Sequence, residues 1–244
     1  MNKNKLKYIK FKVLNLNRDK FWRENTKSYE TVLVVLSGKC KIEIDNKNFG
    51  VIGKRKDVFS GKAYGLYIPI NSAYKIKAVT KVEIAICKAL AHKKFTAGII
   101  EPKDVKVRVV GKGNWKRRVY DIVDKNVSAH RILVGETMNP PGNWSSSPPH
   151  KHDVENLPVE SKQEELYLFK VSPKQGFGIQ RIYSPKHNLD KTYVLFDNTI
   201  VPISYGYHPV VAAPGYKLYY LWILAGKKRL LVPCDDPKHS WIKE

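Results

Sequence analysis

Apolar residues in this chain recur in short runs with a period of two. The runs are broken about every ten residues by glycine, asparagine, aspartate or proline. Lys39-Cys40-Lys41-Ile42-Glu43-Ile44 alternates strictly and then meets Asp45-Asn46-Lys47-Asn48, a turn signal. Thr31-Val32-Leu33-Val34-Val35-Leu36 is a β-branched run closed by Ser37-Gly38. Residues 65–70, 74–79 and 82–87 continue the series, with a shorter piece at Val58-Phe59. The only helix the pattern allows is a short one over residues 89–94. Such spacing predicts a sandwich or barrel rather than βαβ units.

Residues 106–110 and 117–123 predict two strands flanking the turn Gly111-Lys112-Gly113-Asn114-Trp115. Residues 130–137 open a second β series, which continues at 164–170, 177–183, 192–195, 199–203, 209–213 and 218–224. Each series contains a strand pair, a polar turn and a strand ending near a tyrosine. The expected fold is therefore all-β, with two β-sandwich or barrel domains and few short helices. The first domain is residues 1–126, connector included, and the second is residues 127–244.

A chain of 244 residues can bury a substantial core. Its 43% hydrophobic and 27% charged content suits a soluble globular protein. No run approaches the roughly 20 apolar residues of a membrane span. The basic N-terminus leads into no signal-peptide core, which places the protein in the cytoplasm. Cys40, Cys87 and Cys234 are far apart and suggest no disulfide framework. The formal charge of +22 is concentrated in residues 1–126, which hold 30 Lys/Arg against 11 Asp/Glu. That excess is mostly lysine scattered singly along strands, with no arginine-rich arm, zinc finger or helix-turn-helix pattern. It argues against nucleic acid as a partner and for a solvated basic surface. Exposed strand edges leave room for a homo-oligomer.

Candidate chemistry gathers in the second half. His150 and His152 flank Lys151 after a Gly/Ser/Pro-rich approach, and in an extended strand their side chains share a face. Thirteen residues after His152 comes Glu165, on a strand where Glu165, Tyr167 and Phe169 share a face. Gly206-Tyr207-His208-Pro209 supplies a further histidine after another turn. Three imidazoles and one carboxylate converging inside a barrel suit a single divalent ion such as Zn, Mn or Fe and leave positions open for substrate. Glu164 is the rival carboxylate. Residues 1–91 contain no histidine, so the first half offers no equivalent set.

The order H-x-H, then Glu, then a late His is the pattern of the cupin superfamily. The stretches Gly142-Asn143-Trp144-Ser145-Ser146, Pro148-Pro149-His150-Lys151-His152-Asp153, Glu164-Glu165-Leu166-Tyr167, residues 175–183, residues 206–216 and Leu218-Tyr219-Tyr220-Leu221-Trp222 together closely resemble the 5-deoxy-glucuronate isomerase family of bacterial inositol catabolism. The resemblance implies a bicupin whose second barrel alone carries the metal, on His150, His152, Glu165 and His208. It also implies isomerisation of 5-deoxy-D-glucuronate, a small sugar acid, to 5-dehydro-2-deoxy-D-gluconate. The ion would act as a Lewis acid on the carbonyl and adjacent hydroxyl oxygens and stabilise the enediolate formed when the C2 proton leaves. A base must carry that proton to C1, and Glu164, Tyr183 and Glu160 are the candidates. Arg181 is the expected grip on the substrate carboxylate. Gln180, on the opposite face of the same strand, and Tyr207, beside His208, are the other substrate-binding candidates. Lys151 should point away from the ligands. A ketol-isomerase for a related, pectin-type uronate and a non-catalytic sugar-binding cupin are the alternative functions.

Overall fold

The computed structural model describes residues 6–244. The chain folds as two compact units. One comprises residues 8–106 and 121–134; the other comprises residues 107–120 and 135–244, with residues 6 and 7. The chain therefore passes between units more than once.

The first unit contains β1 (Ile9–Leu16), β2 (Phe21–Asn25), β3 (Tyr29–Ser37), β4 (Cys40–Ile44), β5 (Lys47–Ile52), β6 (Gly65–Ile68), β7 (Ala73–Ala78), β8 (Val82–Leu90) and β9 (Gly98–Ile100). These strands form antiparallel sheets ordered β1-β8-β3-β6-β9 and β2-β7-β4-β5. The period-two pattern decides which face is covered. Cys40, Ile42 and Ile44 turn inward and pack with Leu33, Val35, Leu66, Ile76 and Ile84 in one apolar cluster. Some of the surplus lysine is absorbed by aromatic rings, with Lys12 Nζ 3.5 Å from the Trp22 ring centre and Lys10 Nζ 4.3 Å from that of Tyr29.

The expected strands are present, with three differences. The loop after β4 is only Asp45-Asn46, both at positive φ (47° and 64°), so pairing resumes at Lys47 and β5 forms where a longer turn was expected. Val58-Phe59 lies in irregular chain, and residues 89–94 form no helix because β8 runs on to Leu90 in register with β1 and β3. Sheet pairing overrides the local pattern there.

Next come β10 (Lys106–Val110), β11 (Arg117–Val123) and β12 (Leu133–Asn139), followed by β13 (Trp144–Ser145), β14 (His150–Lys151), β15 (Gln163–Ser172), β16 (Gly178–Ser184), β17 (Leu189–Leu195), β18 (Ile200–Ile203), β19 (Val210–Ala212), β20 (Lys217–Gly226) and β21 (Cys234–Asp235). A six-stranded sheet β10-β11-β12-β20-β15-β18 faces a four-stranded sheet β13-β19-β16-β17, and β14 pairs with β21. Tyr167, Phe169 and Val171 of β15 and Tyr220 of β20 pack against Ile182, Leu195 and Val210 from the opposite sheet. Pro202 is tolerated because β18 is an edge strand.

Two carboxylates organise the first unit. Glu30, fully buried on β3, accepts four hydrogen bonds: Tyr67 Oη at 2.9 Å and the backbone N–H groups of His130, Arg131 and Ile132 at 2.7, 2.6 and 2.9 Å. It thereby ties residues 130–132 to β3. Glu30→Ala removes all four of these contacts and should cost at least about 3 kcal/mol in urea unfolding, a buried donor that loses a hydrogen bond costing roughly 1–3 kcal/mol. A loss below about 1 kcal/mol would show that solvent replaces the carboxylate.

Glu24 accepts from Tyr74 Oη at 2.6 Å and pairs with Lys88. Burial alone pushes its carboxyl up; the hydrogen bonds from Lys88, Tyr74 and Trp22 and the Lys88 charge outweigh burial and hold it below the usual carboxylate range. Its stabilising contribution is complete above the unfolded-state carboxylate range and disappears as pH falls through the lowered folded value. The stability gap between wild type and Glu24→Gln should therefore narrow on acidification. A gap that widens contradicts this sign.

Candidate metal centre

β15 places Glu165 on the covered face of the six-stranded sheet, in line with Tyr167 and Phe169, while Glu164 faces the other way. Glu165 is paired on both sides, opposite Leu224 of β20 and Ile203 of β18, so its register is fixed from two directions. His152 follows β14 directly, and His208 lies in the turn before β19. One potential ligand atom from each of His152, Glu165 and His208 lies within 4.8 Å of the others, and all three residues are buried.

The histidine tautomers follow from their outer contacts. His152 Nδ1 lies 3.1 Å from the Gln163 carbonyl oxygen, and His208 Nδ1 lies 2.9 Å from that of Gly206. A carbonyl only accepts, so each Nδ1 carries the proton and donates. In the neutral rings both Nε2 atoms then present lone pairs. His152 Nε2 sits 3.0 Å from Glu165 Oε2. His208 Nε2 sits 3.3 Å from the same oxygen but without hydrogen-bond geometry, and it has no other partner. Acceptors converging on acceptors in a buried site require a positive charge between them. The set of imidazole nitrogens and carboxylate oxygen, each ring braced by a carbonyl, could hold a metal ion. Without one, a proton serves that purpose. Burial pushes the Glu165 carboxyl up, but hydrogen bonding and charge from His152 and His208 outweigh it and hold it at about 2; burial pushes the His152 imidazole down, but its hydrogen bond and charge interaction with Glu165 leave it raised.

His150 stands beside this group. Its ring centre is 5.0 Å from that of His208 and 6.4 Å from that of His152. Desolvation first, then the neighbouring His208 and His152, hold its imidazole neutral, with its lone pair available. Lys151 points away, as its place between the two histidines requires. Its Nζ donates to Asp153 Oδ1 at 2.9 Å and Glu160 Oε2 at 2.5 Å. Asp153 Oδ2 accepts from the Gly206 N–H at 2.8 Å, linking the His150–His152 segment to the turn whose carbonyl braces His208. Glu160 Oε1 accepts from the N–H groups of Asp153 and Val154 at 2.6 and 2.9 Å. Glu160 is thus occupied in closing the loop after His152.

The other expected site residues divide by strand face. Gln180 is inward on β16 and fully buried, and neither end of its amide has a hydrogen-bond partner. Arg181, Tyr183 and Tyr207 are not among the residues of the His/Glu group. Arg181 is exposed, and its Nε and Nη2 donate to Asp190 Oδ1 and Oδ2 at 2.8 and 2.6 Å. Tyr183 Oη donates to Asp236 Oδ2 at 2.6 Å, and its ring stacks with that of Tyr207. Burial and that carboxylate hold the Tyr183 phenol well above its usual range, so it is a poor base. Glu164 accepts from the Lys7 N–H at 2.8 Å on the opposite side of its sheet. Arg181, Glu164, Tyr183 and Tyr207 thus each have a partner outside the His152–Glu165–His208 group.

Three further residues, to which the sequence reading gave no role, belong to its surroundings. Tyr167 lies against Glu165 and Ser146, and burial followed by the Glu165 charge keeps its phenol protonated. Tyr220 Oη donates to Ser145 Oγ at 2.9 Å. Arg117 of β11 is 9% exposed. A signal for it existed: Arg117 and Arg118 are neighbours in a strand, so one of them must face the covered side.

Comparison with known proteins gives the family and the fold. The 5-deoxy-glucuronate isomerase of Geobacillus kaustophilus is 42% identical over 238 residues, covering 97% of this chain and 86% of that protein. The crystal structure of an IolB-like protein from Salmonella typhimurium superposes with a TM-score of 0.94 at 32% identity, covering 97% of this chain and 90% of that one. An oxalate decarboxylase from Lactobacillus farciminis, at 12% identity and a TM-score of 0.65 over 95% of this chain and 80% of that one, shares the fold alone. The chain is all-β, built of antiparallel sheets. The KduI/IolB family model matches residues 1–242, and the chain belongs to that family.

Proposed function

We propose that this chain is a metal-dependent aldose–ketose isomerase that converts 5-deoxy-D-glucuronate to 5-dehydro-2-deoxy-D-gluconate. The observation that carries the reading is the pair of Nε2 lone pairs aimed at Glu165 Oε2 from histidines whose Nδ1 atoms are fixed by carbonyls. The named activity of the 42%-identical relative supports the substrate. His152, Glu165 and His208 would hold one divalent ion of the Zn, Mn or Fe type, with His150 as the fourth ligand and the first unit taking no part. Bound there, the ion supplies Lewis acidity to a carbonyl and its neighbouring hydroxyl.

The chain's own residues do the rest. The Gln163 and Gly206 carbonyls keep both imidazoles in the ligating tautomer. Tyr167, held as a phenol, offers a proton to a developing oxyanion. The unpartnered Gln180 amide can donate to one substrate hydroxyl and accept from another. The buried walls around Glu165 exclude water from the proton passing from C2 to C1. Such a catabolic role fits a cytoplasmic enzyme.

The direct test is NMR of the metal-loaded protein with 5-deoxy-D-glucuronate, following conversion and the C2 proton. Turnover is expected. Neither conversion nor exchange with Zn, Mn or Fe would refute the function. His152→Ala should lose bound metal and activity together, with unchanged far-UV circular dichroism. Full metal stoichiometry in that variant would show that the ligand set is different.

A further inference from the structure

A sugar-acid substrate brings a carboxylate that needs a cation, and the exposed Arg181 cannot readily supply one. The Nε–Nη2 edge of a guanidinium is the edge that grips a carboxylate with two parallel hydrogen bonds, and in Arg181 that edge is already taken by Asp190. Arg117 is in the opposite situation. It is nine-tenths buried on β11, yet both of its hydrogen bonds come from Nη1, to the carbonyl oxygens of Trp115 at 3.2 Å and Ser147 at 3.3 Å. Among the described residues no carboxylate pairs with it, and Nε and Nη2 have no protein acceptor.

A buried charge without a counter-ion is strongly unfavourable, and proteins normally pair it or leave it out. Here it is retained, and its surroundings are those of the site. Ser147, which anchors Nη1, is three residues before His150 in sequence. Burial pushes the guanidinium below its usual range, the Tyr220 and Tyr167 hydroxyls beside the site act against that, and Arg108 adds to it. We propose that Arg117 binds the carboxylate of the sugar acid through its free Nε–Nη2 edge. The bound anion would complete the ion pair that the protein leaves open. This rests on the sugar-acid reading above. It makes Arg117 the residue that separates acidic sugars from neutral ones, because a neutral sugar would leave the buried cation unpaired.

The test uses the metal-loaded full chain with Arg117→Met and Arg117→Lys. D-Gluconate and D-glucitol, which differ at the terminal carboxylate, serve as calorimetric probes, and 5-deoxy-D-glucuronate serves as substrate. Wild type should prefer gluconate. Arg117→Met should bind gluconate roughly 100-fold more weakly, the scale for breaking a buried charge pair, and bind glucitol as wild type does. Arg117→Lys should regain part of the loss, since it keeps the charge without the fork. For the substrate, KM should rise more than kcat falls. Arg117→Met should unfold at the same or a higher temperature, because an unpaired buried charge has gone.

Unchanged gluconate affinity in Arg117→Met would overturn the proposal. So would equal binding of the two probes by wild type, or loss of the preference in Arg181→Met. Should Arg117→Met not fold, the wild-type comparison and Arg117→Lys still decide the matter. Failure of the isomerase reading looks different: wild type would keep its preference for carboxylates and turn over no 5-deoxy-D-glucuronate.

Discussion

One desolvated carboxylate oxygen governs the second unit. Glu165 Oε2 has the Nε2 atoms of His152 and His208 at 3.0 and 3.3 Å, and neither ring can turn away because its Nδ1–H is held by a carbonyl. Removing an anion from water costs several kcal/mol unless a cation compensates. The arrangement persists only with positive charge at its centre, either a proton on an imidazole or a metal ion. Everything that fixes the three groups belongs to this one constraint. The register of β15 selects Glu165 over Glu164. The backbone pairing of Gln163 with His152 fixes one ring, and the Lys151–Asp153–Gly206 chain of contacts fixes the other.

The same logic separates the two carboxylates that frame the loop after His152. Asp153 and Glu160 share the Lys151 ammonium and accept three backbone N–H groups between them. They are saturated with donors, and so act as supports. Glu165, at the centre of the site, meets the His152 and His208 imidazoles and the Tyr167 phenol but no ammonium or guanidinium among the described residues. Arginines obey the converse rule: Arg181 is neutralised at the surface by Asp190, whereas Arg117 is buried with no acidic partner among the described residues. A group whose partners are incomplete inside a folded protein is the better candidate for meeting a ligand.

Much of this was legible in the sequence. Alternation identified most strands of both sheet pairs, and H-x-H, Glu and a late His named the residues that come closest together. The face of Glu165 was legible too, because Tyr167 and Phe169 follow it at the core period. Less visible were the features decided by non-local pairing. Nothing in residues 89–94 says that β8 extends to Leu90; its partners β1 and β3 do. Arg181 reads well as a site residue until β16 turns its side chain to solvent, where Asp190 of β17, opposite Tyr183 in the sheet, pairs with it. Arg117 was passed over because it precedes the motif by more than 30 residues and reaches it only through sheet order.

The central claim concerns the charge facing Glu165 Oε2, and X-ray absorption at the edge of the metal carried by the purified protein addresses it most directly. The account predicts one divalent ion per chain in a shell of nitrogen and oxygen, with the multiple-scattering signature of at least two imidazoles. A sulfur-containing shell, a shell without imidazole, or fully active protein with no metal would contradict it.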